Sequence, residues 1–128
     1  MTTADPSLTG RRIMILEDEA MVSLLLEDMI EDFGAELAGS YSRLERAMTA
    51  VEGGLHFDVA LLDVNVAGER SFPLAEALAA RAVPFVFTTG YDRSGLPEAW
   101  RDAPSLRKPF LQDDVRKALQ QALGLDAG

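Results

Sequence analysis

The sequence predicts an α/β domain built on a doubly wound sheet of five parallel strands with five flanking helices. Two observations carry this prediction. Short apolar runs alternate along the chain with segments of helical periodicity, which is typical of βαβ units. The apolar runs also lack the in/out alternation of a half-exposed strand, as in parallel strands that are covered on both faces. With right-handed crossovers, the expected order of the five strands is 2-1-3-4-5.

Five segments are predicted as strands. Three are uninterrupted apolar runs, whereas the second and the fifth are poorer in apolar residues. In chain order the strands are IMIL (13–16), ELAGSY (36–41), VALL (59–62), FVF (85–87) and SLR (105–107). Because all five would run in parallel, their carboxyl ends should lie along one edge of the sheet, where ligands bind in this architecture.

Helices are predicted to cover 22–33, 44–51, 71–80, 94–100 and 113–123. Apolar side chains recur at helical spacing in the first of them, and Gly34 stands where a C-terminal cap is expected. The fourth is a poor helix, because Gly95 and Pro97 cost roughly 1 and 3 kcal/mol in a helix interior. Trp100, at its end, is either a half-buried core residue or an anchor for a partner.

Length, charge and cysteine content limit the classes of protein that the chain can represent. Its 128 residues suit one domain, which we expect to cover 11–124 between a flexible N-terminal tail (1–10) and a short C-terminal tail (125–128). The formal charge of −9 predicts no nucleic-acid partner and no membrane partner. The chain has no cysteine, and we recognise neither a signal peptide nor a membrane span, so we expect a cytoplasmic protein.

Carboxylates follow two predicted strands that would be neighbours in the sheet. Glu17 and Asp18 end the first strand, and Asp63 comes directly after the third. If these side chains share one crevice, their mutual repulsion favours a bound cation, and an all-oxygen ligand set suits Mg²⁺ or Mn²⁺ rather than zinc. Helix dipoles also attract acidic residues. This would explain Glu19, but it does not explain Asp63.

Hydroxyl and ammonium groups follow the fourth and fifth strands. Thr88 and Thr89 end the fourth strand, and Lys108 follows the fifth. Taken singly, a threonine after a strand is usually a turn or cap residue, and a lysine is usually a solvated surface group. Together with the carboxylates, they supply a cation site, a nucleophile, a hydrogen-bond donor and a counter-charge. These are the parts needed to handle a phosphoryl group.

This ordered set resembles the receiver domain of two-component response regulators, which has a flavodoxin-like fold. Glu17 and Asp18 match the acidic pair of that family, and Asp63 matches its phosphoacceptor. Thr89 matches its switch hydroxyl, and the Lys-Pro dipeptide that begins at Lys108 also has its counterpart there. The spacing between these positions fits the family as well, so the resemblance covers the whole predicted domain.

The resemblance implies a specific chemistry for the carboxylates. Asp63 would attack a phosphohistidine on a histidine kinase and become an aspartyl phosphate. Mg²⁺, for which Mn²⁺ can substitute, would be held by Asp18, Asp63 and the backbone carbonyl of Asn65. Glu17 would act on the metal through a coordinated water molecule. Water would later hydrolyse the acyl phosphate, so the modification is expected to be temporary.

The resemblance also implies a switch. Lys108 would pair with one phosphoryl oxygen, and its bond to Pro109 is expected to be cis, as in relatives. Thr89 would move to hydrogen-bond another oxygen. Receivers often place an aromatic residue three positions before the lysine, which here is Ser105. We therefore expect Tyr91 to be the aromatic part of the switch, with a static shield over the phosphate as the competing role for its ring.

A narrower resemblance concerns PFVFTTGY (84–91), which is similar to the PFxFATGY signature of the single-domain receivers called FAT GUY in alphaproteobacteria. The chain departs from it at Thr88, where that family has alanine. The resemblance implies a histidine kinase partner of the HWE or HisKA2 type, a phosphotransfer protein or another response regulator as a further partner, and a role in the general stress response. Because only four residues follow Gly124, we expect a stand-alone receiver.

Two other functions stay open at this point. A small Mg²⁺-dependent phosphohydrolase would often carry a second aspartate two residues after the nucleophile, where this chain has Asn65. An interaction module that takes no phosphate would not need the full set of site residues. We therefore predict a signalling protein rather than an enzyme, with its own phosphorylation and dephosphorylation as its only chemistry.

Overall fold

A computed structural model of the chain describes residues 6–90 and 96–125. In chain order their elements are β1 (Arg12–Leu16), α1 (Ala20–Asp32), β2 (Glu36–Tyr41), α2 (Leu44–Glu52), β3 (Val59–Asp63), β4 (Asn65–Val66), β5 (Glu69–Arg70), α3 (Phe72–Ala80), β6 (Phe85–Thr89), a 3-10 helix (Glu98–Trp100), β7 (Ser105–Arg107) and α4 (Gln112–Ala122). All five predicted strands are present, each within two residues of its predicted bounds.

The five predicted strands form one parallel sheet in the order β2-β1-β3-β6-β7. Since β4 and β5 form a separate two-stranded ribbon, this is the predicted order 2-1-3-4-5 of the main strands. In register, Leu16 of β1 pairs with Leu62 of β3, and Asp63 pairs with Thr88 of β6. The ends of these three strands therefore lie side by side at the carboxyl edge of the sheet.

Helices cover both faces of the sheet and divide the core into two layers. Residues of α1 and α4 pack on one face, around Ile15, Leu61 and Val86. Residues of α2 and α3 pack on the other face, around Leu62 and Phe87. Every residue of β3 and β6 is buried, which confirms the prediction from their unbroken apolar runs. None of the described helices combines the length and apolar character that a membrane span would require.

The segment 94–100 is not a regular helix in its described part. Its first two residues lie outside the described residues, and its last three form the 3-10 helix. Pro97, directly before that helix, is extended (ψ 152°) and has no N–H to donate, so a regular α-helix cannot continue through it. The prediction of five helices is therefore wrong for residues 6–90 and 96–125, which contain four α-helices.

Trp100 belongs to an aromatic cluster in the layer of α2 and α3. Its ring packs edge-on against Phe85 and Phe87, with ring centroids 5.5 and 6.1 Å apart. Phe87 also contacts Phe72 at the start of α3, with centroids 5.9 Å apart. Of the two interpretations that the sequence left open for Trp100, the structure favours the half-buried core residue.

The β4–β5 hairpin, residues 65–70, was not predicted. Its two strands pair antiparallel and are joined by Ala67 and Gly68, both with positive φ (50° and 85°). Two residues in this conformation match the right-handed twist of a tight hairpin. The usual sequence signal for such a turn is Asn-Gly or Asp-Gly, and this chain lacks that signal because its first turn residue is alanine. The hairpin lies directly after Asp63, beside the carboxyl edge of the sheet.

Residues 6–10 pack onto the domain, although we predicted them to be part of a flexible tail. Leu8 is completely buried in the layer formed by α1 and α4. The Gly10 N–H donates to the carbonyl of Gly34 (3.0 Å), and the amide of Gln120 in α4 donates to the Ser7 hydroxyl (3.1 Å). Terminal position alone predicts disorder, but one apolar side chain can anchor a terminus against neighbouring helices. The folded domain therefore begins before residue 10.

Leu8→Ala should lower the free energy of unfolding by about 2–5 kcal/mol, because it empties a fully buried position. Leu111→Ala is the matched control, since 72% of that leucine is exposed, and its effect should stay within about 0.5 kcal/mol. Urea denaturation measures both. Equal midpoints for the two variants would show that residues 6–10 add nothing to the folded unit.

Candidate functional site

The carboxyl edge of the sheet brings together side chains from four strand ends. Glu17 and Asp18 directly follow β1, and Asp63 is the last residue of β3. Thr89 is the last residue of β6, and Lys108 follows β7. The convergence of these groups, which the sequence predicted from the strand order, is confirmed for the carboxylates and the lysine by direct distances.

The three carboxylates form a compact cluster. One oxygen each from Glu17, Asp18 and Asp63 lies within 4.8 Å of the other two. Glu17 and Asp63 are buried, whereas Asp18 is exposed and leaves the cluster open to solvent. Like charges this close repel one another unless a cation lies between them. Oxygen ligands at this spacing fit a hard divalent cation such as Mg²⁺ or Mn²⁺.

Lys108 is the counter-charge of the cluster. Its ammonium lies 2.9 Å from Oε1 of Glu17 and 3.1 Å from Oδ2 of Asp63. Oε1 of Glu19 is farther away, at 3.5 Å, and that side chain is 64% exposed. Glu19 precedes α1 but its side chain makes no cap hydrogen bond there. The structure thus places Glu19 at the rim of the site, beside the lysine.

Burial and ion pairing act in opposite directions on the pKa values of Glu17 and Lys108. Burial raises the pKa of Glu17 from its ordinary 4.5 to about 7, although the hydrogen bond from Lys108 works against that shift. The nearby Asp63 carboxylate adds to the increase. Burial lowers the pKa of Lys108, but its hydrogen bonds to Glu17 and Asp63 outweigh this, and the net pKa is raised. The lysine therefore stays charged, and Glu17 titrates near neutral pH.

The metal-free protein should become more stable as the pH falls from about 8 to about 5. In this range the folded state takes up a proton on Glu17, whose pKa is about 7, whereas the unfolded state keeps that carboxylate ionised down to its ordinary pKa of 4.5. Glu17→Gln should remove this part of the pH dependence. Urea denaturation at several pH values measures it, and parallel pH profiles for wild type and variant would contradict the assignment.

The remaining predicted site residues differ in what the structure shows of them. Thr89 is buried, and its carbonyl accepts a hydrogen bond from the Lys108 N–H (2.8 Å). Asn65 is exposed, and its N–H donates to Oδ1 of Asp63 (3.3 Å). The Lys108–Pro109 bond is cis, which confirms that prediction. Tyr91, predicted as part of the switch, lies outside the described residues.

One contact of the site has no signal in the sequence. The Ala67 N–H, in the turn of the β4–β5 hairpin, donates to Oδ2 of Asp18 (3.1 Å). A backbone donor has no side-chain signature, and the hairpin that positions it was not predicted. Only an Asn-Gly or Asp-Gly pair at positions 67 and 68 would have pointed to it.

Comparison with solved structures gives matches over nearly the whole chain, although no protein-family model matches it. SdrG from Sphingomonas melonis Fr1 is 44% identical, and the match covers 93% of this chain and 98% of that chain with a TM-score of 0.79. SdrG from Pseudomonas melonis Fr1, in a BeF3-activated conformation, is 43% identical, covers 88% and 95%, and has a TM-score of 0.77.

Two further relatives are more distant. The receiver (REC) domain of the response regulator PhyR from Erythrobacter litoralis is 28% identical, with 95% of this chain and 96% of that chain covered and a TM-score of 0.79. The transcriptional regulatory protein PdtaR of Mycobacterium tuberculosis is 29% identical over 127 residues. That match covers 95% of this chain and 61% of PdtaR, so the chain spans less than two thirds of this relative.

Proposed function

The chain belongs to the response regulator receiver family, and we propose that it accepts a phosphoryl group on Asp63 from a histidine kinase. The observation that carries this proposal is the position of Asp63, which is buried next to two further carboxylates and 3.1 Å from the ammonium of Lys108. This arrangement offers a nucleophile, a cation site and a counter-charge at one point of the sheet edge.

Asp63 is the nucleophile in this proposal. One carboxylate oxygen attacks the phosphorus of the kinase phosphohistidine, the P–N bond breaks as the P–O bond forms, and the imidazole takes a proton from solvent. The ammonium of Lys108 offsets the negative charge of the entering phosphoryl oxygens. Thr89, at the end of the neighbouring strand, is the proposed hydroxyl donor to another phosphoryl oxygen.

The carboxylate cluster is proposed as the site of Mg²⁺ or Mn²⁺. Asp18, Asp63 and the backbone carbonyl of Asn65 would hold the ion, and Glu17 would bind it through a water molecule. When bound, the ion supplies positive charge to the transferring oxygens. Without it, the clustered carboxylates repel an anionic phosphoryl donor, so phosphorylation should depend on the divalent cation.

The phosphorylated form is proposed to signal through contacts of the receiver surface. Water hydrolyses the acyl phosphate and returns Asp63 to a carboxylate, so the signal is temporary. Thr89 and Tyr91 are the proposed switch residues. The existence of a BeF3-activated conformation of SdrG, which is 43% identical, supports a phosphate-dependent change of this kind.

The partners proposed from the PFVFTTGY signature are a histidine kinase of the HWE or HisKA2 type and a phosphotransfer protein or another response regulator. The similarity to SdrG over 93% of the chain supports this narrower grouping. A role in the general stress response is part of the same proposal. Phosphotransfer profiling against the kinases of the source organism would identify the cognate one.

Acetyl phosphate provides the test of the phosphoacceptor. Incubation with Mg²⁺ should add one phosphoryl group to the wild type, whereas Asp63→Asn, or the wild type with a chelator, should gain none. Intact-protein mass spectrometry measures the modification. If the wild type is not modified, an interaction module that takes no phosphate explains the protein better than a phosphorylated receiver. Continuous release of phosphate from simple phosphate esters would favour the phosphohydrolase.

A further inference from the structure

We propose that the β4–β5 hairpin is a positioning element for the metal site, and that the Ala67 N–H orients the carboxylate of Asp18 for the cation. The inference rests on the proposed function in one respect, because it takes Asp18 as a metal ligand. What the inference adds to the proposed site is a backbone N–H group, which belongs to no reactive side chain. Nothing in the residue types of the hairpin points to such a role.

The hairpin donates hydrogen bonds to two of the three clustered carboxylates. At its start, the Asn65 N–H donates to Oδ1 of Asp63 (3.3 Å). At its turn, the Ala67 N–H donates to Oδ2 of Asp18 (3.1 Å). A single short element thus connects the last residue of β3 to a carboxylate that follows β1. Two amide dipoles also stabilise negative charge that would otherwise repel within the cluster.

Asp18 depends on this contact more than the other two carboxylates do. Glu17 and Asp63 are buried, and each lies within 3.1 Å of the Lys108 ammonium. Asp18 is exposed, and among the described residues the Ala67 N–H is the one donor to its side chain. Without that donor, repulsion from its neighbours would turn the Asp18 side chain toward solvent.

The backbone of the turn is shaped to present this N–H. Ala67 has φ 50°, a conformation that residues with a Cβ adopt infrequently, and it is followed by Gly68 at φ 85°. Strained residues of this kind persist where the surroundings hold them, and they concentrate at functional sites. Here the strand pairing of Val66 with Glu69 and the hydrogen bond to Asp18 hold the turn.

A backbone donor suits a metal ligand that must stay available. The N–H occupies one lone pair of Oδ2 and leaves the other acceptor sites of the carboxylate free for a cation. It also carries no positive charge that would compete with the ion. Groups that hold a ligand in this way commonly change metal affinity by about 10- to 100-fold when they are removed.

Replacing the Ala67 amide by an ester is the direct test. Incorporation of lactic acid at this position keeps the methyl group and removes only the N–H. The Kd for Mg²⁺, measured by isothermal titration calorimetry, should rise about tenfold. The rate of phosphorylation by acetyl phosphate at saturating Mg²⁺ should stay within about twofold, because the group acts on the metal site rather than on the reaction.

The chain supplies two matched controls. Ala82 also has a positive φ (57°), and its N–H donates to the carbonyl of Ala79 at the end of α3, so an ester there should leave the Kd for Mg²⁺ unchanged. Ala67→Gly keeps the N–H and relieves the backbone conformation, so it should bind Mg²⁺ like the wild type. An unchanged Kd in the Ala67 ester, or an equal loss in Ala67→Gly, would overturn the proposal.

A second measurement requires no ester and no phosphate. In the metal-free protein, the Ala67 amide proton should exchange with solvent about tenfold more slowly in the wild type than in Asp18→Ala, with the Gly68 amide as internal reference. Equal rates would overturn the inferred contact. The two proposals can also fail separately. If the Ala67 ester weakens Mg²⁺ binding but Asp63 never takes up phosphate, the proposed function is refuted and the positioning role of the hairpin is not.

Discussion

Lys108→Ala is expected to slow the phosphorylation of Asp63 by about 10²- to 10³-fold, the usual effect of removing one group that stabilises charge in a transition state. Its ammonium lies 3.1 Å from Oδ2 of Asp63 and 2.9 Å from Oε1 of Glu17, and only 18% of the side chain is exposed. A charge held in such a partly desolvated place acts more strongly than one in water. Single-turnover rates with acetyl phosphate at saturating Mg²⁺ measure the loss.

Lys108→Arg is the control for charge alone. Arginine keeps the positive charge but spreads it over a planar group, which cannot replace a compact ammonium between the carboxylate oxygens of Glu17 and Asp63. It should therefore recover only part of the rate. If Lys108→Ala reacts as fast as the wild type, the lysine has no role in phosphoryl transfer and serves only to neutralise the buried carboxylates.

Asp18→Asn should remove most of the stabilisation that Mg²⁺ gives to the fold. For a ligand that binds only the folded state, ten times the Kd adds about 1.4 kcal/mol to the free energy of unfolding. The variant loses one charged ligand of the cluster, so this gain should nearly vanish. In the metal-free state the variant should be more stable than the wild type, because one repelling charge is gone while asparagine can still accept the Ala67 N–H.

Asp28→Asn is the matched control, since Asp28 is an exposed aspartate of α1 outside the carboxylate cluster. It should keep the full response to Mg²⁺. Thermal or urea denaturation with and without Mg²⁺ measures all three proteins. A response of Asp18→Asn equal to that of Asp28→Asn would show that Asp18 is not a ligand.

The sheet and the side-chain part of the site could be predicted because both follow from local patterns and one topological rule. Unbroken apolar runs identified β1, β3 and β6, and the parallel order then placed Glu17, Asp63 and Lys108 at one edge. This placement required no knowledge of the distances between the side chains. Sequence position at a strand end was sufficient, because parallel strands end together.

The features that were missed depend on backbone conformation and long-range packing. The Ala67 contact with Asp18 requires a tight hairpin turn, and alanine at the first turn position does not predict such a turn. The burial of Leu8 requires helices at both ends of the chain to be in place, so no local window reveals it. The segment before Trp100 was assigned to a helix from the fold class, against the local evidence of Pro97, and there the local evidence was the better guide.

Lys108 shows a further limit of prediction from residue types. The sequence suggested a lysine that meets a phosphoryl oxygen, but not that its ammonium already contacts Glu17 and Asp63 before any phosphate is present. That contact follows from the burial of both carboxylates beside it, which is a property of the folded chain. The same burial raises the pKa of Glu17 to about 7, although the contact with Lys108 works against that shift.

Chemical trapping of the phosphorylated protein tests the role of Asp63 most directly. Borohydride reduces an aspartyl phosphate to homoserine and leaves free carboxylates unchanged. After phosphorylation by a cognate histidine kinase and reduction, peptide mass spectrometry should find homoserine at position 63 and at no other aspartate. Homoserine at Asp18 or elsewhere, or none in a protein that has demonstrably taken up phosphate, would contradict the assignment of Asp63 as the phosphoacceptor.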